Sequence, residues 1–128
     1  MRLLLDTHAL LWWWADDPQL SGTARSAMAD ESNQVLVSAA SAWEIATKQR
    51  IGKLPAWPMP PGGFADLVTA EGFVSLSVGA AHAWHAGSLT WVHRDPFDRM
   101  LAAQAALDGL VLVTRDPVFG DLKISTLW

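Results

Sequence analysis

Short aliphatic runs and helically spaced segments alternate along the chain. The first run, Arg2 to Leu5, stops at Asp6. It suits a buried strand, although a run this short leaves helix open by periodicity alone. Thr7 to Ala15 follows, with Leu10, Leu11 and Trp14 at helical spacing, and Pro18 breaks the pattern. A second helix is expected from about Ser21 to Asp30. Residues 34–38 (Gln-Val-Leu-Val-Ser) read as the next strand. Ser41-Ala42-Trp43-Glu44 has the form of a capping box, opening a helix to about Arg50 with Gly52 as its stop. Prolines and glycines between Leu54 and Gly63 predict a loop. A short helix to about Glu71, a strand over residues 73–77 and a helix over residues 79–86 come next. Leu110 to Val113 is the clearest buried strand, and residues 123–127 close the pattern with a short one.

Between these last strands and the histidines His82, His85 and His93 lies the best-defined helix start in the chain. Asp95 is a good N-cap, because its carboxylate can accept from a free N–H of the first turn. Pro96 suits the first helical position. Asp98 then falls at the third, ahead of an Ala- and Leu-rich stretch that Gly109 terminates. A helix so apolar packs on a sheet. Strands that are apolar throughout, alternating with helices, predict an α/β fold: one domain over residues 1–128, with a central parallel sheet covered by helices on both faces.

Composition narrows the chemistry. Half the residues are hydrophobic (51%), enough for a core without staples. There is no cysteine, which rules out disulfides and thiolate catalysis and is compatible with a reduced, cytoplasmic setting. No run approaches the ~18 apolar residues of a membrane span, and Asp6 interrupts the only N-terminal stretch resembling a signal peptide. The net charge of −4 carries no global basic field, so nucleic-acid binding has to be local or bridged by metal. Lys48, Arg50 and Lys53 are the nearest thing to an anion-binding patch. Eight tryptophans without a tyrosine point to large apolar contact surfaces. Trp12, Trp13 and Trp14 cannot all face one core, so at least one is expected to reach solvent or a partner.

In parallel α/β sheets, sites lie outside the carboxyl ends of the strands. Asp6 follows the first strand, and Asp116 follows the strand ending at Val113, with Thr114 between. Glu44 and Asp98 sit near helix starts that belong to the same edge. Each acid also has a purely structural reading: Asp6 and Asp116 as turn residues, Glu44 as the partner of Ser41, Asp98 as a helix-end charge. Their joint placement is the argument for one site. Carboxylates gathered together repel and raise one another's pKa, unless a cation sits among them. An all-oxygen set favours Mg²⁺ or Mn²⁺ over zinc. Mg²⁺ retains waters and leaves room for a phosphate, which suits phosphodiester hydrolysis. The histidines are not spaced as a metal set, a zinc site at His82 and His85 lacks partner acids, and Asp95 reads as a cap.

The segments carrying these acids resemble PIN-domain proteins, and most closely the VapC-type toxins of bacterial toxin–antitoxin pairs. They are Leu3 to Trp12 with its Leu5-Asp6-Thr7-His8, Val37 to Lys48 with its Trp43-Glu44-Ile45-Ala46, Arg94 to Ala105 with its Asp95-Pro96-Phe97-Asp98-Arg99, and Thr114-Arg115-Asp116. The resemblance implies a Mg²⁺- or Mn²⁺-dependent endoribonuclease. Asp6, Glu44 and Asp98 would be its core metal-binding acids, Asp116 the fourth, and Thr7 and Thr114 supporting polar residues. It also implies an RNA substrate, a homodimer and a cognate VapB-like antitoxin whose tail covers the groove. Trp12 to Trp14 and Trp43 are then expected contacts for that tail or the dimer. The Trp12–Trp14 run is bulkier than the family pattern, and Pro117 directly follows the fourth acid.

Three rivals share parts of this pattern. A haloacid-dehalogenase-like phosphatase also starts with a strand and an aspartate, but needs a second acid where His8 stands. A receiver-like domain needs a lysine after a late strand, and none follows Val113. A non-cleaving RNA- or partner-binding module would not need all four acids.

Overall fold

A computed structural model describes residues 1–128. Strand β1 (Arg2–Leu5) leads into helix α1 (Thr7–Trp14), then α2 (Gly22–Ala29), β2 (Gln34–Ser38) and α3 (Ala39–Arg50). After the proline-rich loop come α4 (Phe64–Ala70), β3 (Val74–Leu76), α5 (Ala80–Ser88), α6 (Pro96–Asp108) and β4 (Val111–Val113). A 3-10 turn (Pro117–Asp121) and β5 (Thr126–Leu127) complete the chain. The five strands form one sheet in the order β3-β2-β1-β4-β5. Every pairing is parallel.

Alternation in the central strands splits the core in two. Leu3, Leu5, Val35, Val37 and Val113 face one layer, with Ala9 and Leu10 of α1, Ala24 and Met28 of α2, and Val68 of α4. Leu4, Leu36 and Leu112 face the other, under Leu101, Ala102 and Ala105 of α6 and Phe119 of the 3-10 turn. Strands buried on both faces need apolar side chains throughout, which is why these runs read as aliphatic and not as alternating. Burying each leucine contributes about 1.5–3 kcal/mol. The small residues of α6 bring that helix close to the sheet. Gly109 ends it with φ of 65°, a left-handed cap that other residues adopt with strain.

One expectation changes here, and another gains detail. Helix α3 starts at Ala39, one turn before the expected box. Its N-cap is Ser38, whose hydroxyl accepts from the Ala40 N–H. Ser41 is buried and its hydroxyl accepts from Thr7, so Glu44 lies in the second turn and caps nothing. The Trp12–Trp14 run is half-buried on its own chain. Trp12 meets Trp128, Trp13 meets Phe73, and Trp14 meets Trp57 and Phe64. Each ring thus packs against partners of its own, and all three stay partly open to solvent.

Candidate active site

The strand order reverses between β1 and β4, and a ligand crevice belongs at their carboxyl ends. Leu5 pairs with Val113, so the two strands finish level. Asp6 and Thr114 therefore emerge side by side, the Asp6 N–H donating to the Val113 carbonyl at 3.0 Å. Strand β2 ends beside them, and α3 carries Glu44 back over the edge. Helix α6 runs against the strand direction and begins at the same edge with Asp98. The result is a cavity of about 270 Å³ lined by Asp6, Glu44, Asp98 and Asp116, together with Thr7, His8, Lys48, His93 and Asp95. None of its lining residues is hydrophobic. All four acids singled out from the sequence are in it.

Each acid is held differently. One oxygen of Asp6 accepts from the Ala9 N–H at 2.7 Å, so it caps α1 as well as facing the cavity. Asp6 is nearly buried, 7% exposed. Burial pushes its carboxyl above the ordinary range and Glu44 adds to this, against the pull of Thr114, Ala9 and His8. Glu44 is buried and paired with the Lys48 ammonium one turn on. Asp98 does not cap its helix; Asp95 does, accepting from the N–H groups of Phe97 and Asp98. Asp98 instead meets His93 Nε2 at 2.7 Å. Its pKa is raised to about 6, chiefly by burial, with Asp95 and Glu44 adding repulsion and His93 opposing them. Asp116 is exposed and caps the 3-10 turn through Val118, with Pro117 fitting the turn's first position. The Thr114 hydroxyl accepts from the Asp116 N–H at 3.1 Å, tying the fourth acid to the strand end. Thr7 donates to Ser41 and locks α1 to α3 at the cavity wall.

Several supporting residues escape a reading of the sequence. His93 is the clearest, since only its place just ahead of the Asp95 cap hints at its contact with Asp98. His93, Asp95 and Asp98 have ligand atoms mutually within 4.8 Å, so Asp95 combines its cap with a place in the site. Arg99 fixes the segment leading to them: its guanidinium donates to the carbonyls of Ala86, Leu89, Trp91 and His93. The zinc reading for His82 fails, because one ring nitrogen faces Asp108 and the other accepts from the Gly79 N–H.

The donor set fits a hard divalent cation. It is all carboxylate oxygen apart from His93, with Lys48 paired to Glu44 and His93 in contact with Asp98. Burial, with added repulsion from neighbouring acids, raises the carboxyls of Asp6 and Asp98, and a divalent cation among them would favour their charged forms.

A parallel α/β fold with a carboxylate-lined pocket at its switch point defines a class of acid-cluster proteins. Within it, residues 3–124 match the PIN domain family model, and the chain belongs to that family. This sets aside the haloacid-dehalogenase and receiver readings. Over 73 residues the chain is 42% identical to ribonuclease VapC16 of Mycobacterium tuberculosis, a match covering 53% of this chain and 51% of that protein. The chain thus spans about half the length of the curated relative it matches. Among solved structures, a DNA-bound VapBC from Salmonella typhimurium superposes with a TM-score of 0.67 at 20% identity, over 99% of this chain and 97% of that one. A toxin–antitoxin complex from Klebsiella pneumoniae gives 0.61 at 14% identity, over 98% and 96%. At these identities the superpositions speak for the fold. No helix is long and apolar enough to cross a membrane.

Proposed function

We propose that residues 1–128 act as one PIN-like domain with divalent-cation-dependent endoribonuclease activity, a VapC-like toxin restrained by a cognate antitoxin. The observation that carries this reading is the convergence of Asp6, Glu44, Asp98 and Asp116, from four separate segments, on one polar cavity with two raised carboxyls. Membership of the PIN family and the likeness to a ribonuclease support it.

Asp6, Glu44 and Asp98 would hold Mg²⁺ or Mn²⁺, with Asp116 at the open side. Such a cation supplies polarisation of a phosphodiester and activation of water. The chain's own residues set the geometry. Thr114 orients Asp6 and Asp116, Thr7 fixes the α1–α3 wall, and Lys48 aims Glu44. His93 holds one Asp98 oxygen, and Arg99 keeps His93 in place.

The partners belong to the same reading. An apolar groove of about 330 Å³ runs beside the cavity, lined by Leu11, Trp12, Trp14, Leu54, Trp57 and Phe64, and it shares His8 with the cavity. It suits the tail of a VapB-like antitoxin, and complexes of that kind share the fold. A homodimer and a cytoplasmic location complete the proposal.

The test is cleavage of total cellular RNA by the purified chain with Mn²⁺ or Mg²⁺, with chelator, and with Asp98→Asn. Cleavage that needs the cation and falls by roughly 10²-fold or more in the variant is expected, since several kcal/mol of charge stabilisation is lost. RNA bound but never cut would leave a non-cleaving module instead.

A further inference from the structure

Most of the large aromatic rings of this chain lie half-buried against one another. Trp43 differs. It is 59% exposed, yet its indole is held edge-to-face with Phe97, the centroids 4.7 Å apart and the planes at 76°. Trp84 is more exposed, at 79%, but sits on α5 away from any of the four acids in sequence. Trp43 and Phe97 immediately precede Glu44 and Asp98. Consecutive Cα atoms are about 3.8 Å apart, so α3 and α6 each carry one acid of the cavity and, one residue before it and outside the cavity's lining, one ring of this pair.

The charge balance gives the pair a task. The chain has nine Lys and Arg against thirteen Asp and Glu. Nucleic-acid affinity usually comes from cations on phosphates, and here the cavity's lysine, Lys48, is engaged by Glu44. A non-ionic grip on RNA adds to what a chain of this charge gains from bound metal and a few local cations. An exposed indole pre-set by a neighbouring ring provides one, because every base has a π-face and unpaired bases stack on aromatic side chains.

We propose that Trp43 and Phe97 form a stacking platform for an unpaired base adjoining the phosphodiester in the acidic cavity. This rests on the nuclease reading above and assigns the rim of the same site. It makes Trp43 a positioning residue for substrate and requires that the RNA be unpaired next to the cleaved bond.

The experiment uses an RNA that the wild-type chain cleaves with Mn²⁺, and compares wild type, Trp43→Ala and Trp43→Phe. Trp43→Ala is expected to raise KM about tenfold, equivalent to about 1.4 kcal/mol, with kcat little changed. Trp43→Phe should recover most of the loss. The slope of binding against salt should stay the same, since no phosphate contact is removed. An unchanged KM in Trp43→Ala, or equal impairment in both variants, would overturn the platform while leaving the nuclease standing. So would a change in sedimentation of Trp43→Ala alone, which would mark the surface as a contact between copies of this chain. A wild-type chain that cuts no RNA would remove the nuclease reading, and the platform with it.

Discussion

Asp98 shows how one side chain carries both the cost and the use of this site. Its carboxyl is raised from 3.8 to about 6, mainly by burial, with Asp95 and Glu44 facing it and His93 in contact. A carboxyl with a raised folded pKa binds its proton more tightly folded than unfolded. Its contribution to stability is full below about 3.8 and is lost as pH rises through about 6. The metal-free protein should therefore lose stability between pH 5 and 7 by about 1 kcal/mol from this group, allowing for its partial exposure. Asp98→Asn should flatten that part of the profile and melt higher than wild type at pH 7 in chelator. Thermal melts across this pH range check it; a variant with the wild-type slope would show that Asp98 is not the strained group. The position of Asp98 was legible in the sequence through the Asp95-Pro96 helix start. Its hydrogen bond to His93 was not, because the conformation of that loop depends on Arg99 reaching back to four carbonyls.

At the scale of elements, the α3 start shows where local grammar misleads. Ser41 and Glu44 satisfy the spacing of a capping box, but the same residues also allow a strand ending in Ser38 with a helix beginning at once. Tertiary contact decides between them: Ser41 is buried against Thr7, and Ser38 is held by Gln104 of α6 at 2.6 Å. Gln104 is fully buried and also donates to the Ser77 carbonyl after β3. It joins the carboxyl ends of β2 and β3 to the helix that carries Asp98. No pattern in the sequence marks it, since a glutamine inside an Ala-rich helix looks like a surface residue. Gln104→Ala should cost about 2–4 kcal/mol, from the cavity and from polar groups left unpaired. Denaturant unfolding measures this; a loss under about 0.5 kcal/mol, the range of ordinary surface changes, would mean the network does not bind these elements together. The apolar strands β1, β2 and β4 were legible because burial on both faces leaves no polar positions. The three-residue β3 and two-residue β5 were placed as longer segments, since edge strands this short end where their partners do.

For the whole molecule, the chain order and the sheet order together explain the site. Four segments far apart in sequence meet because β1 and β4 are parallel neighbours that finish level, with the other strands added outward on opposite sides of them. The rule for parallel sheets placed all four acids on one edge from sequence, and they line one cavity. The aromatic contacts of α1 were beyond that rule, because Trp14 meets the proline-rich loop and Trp12 the C-terminal Trp128. The central claim is that the converging acids form a cation site, and calorimetric titration with Mn²⁺ tests it most directly. Wild type should bind with saturable heat, and Asp6→Asn should lose most of it while keeping the wild-type circular dichroism. Equal binding by a folded Asp6→Asn, or no binding by wild type, would contradict the account.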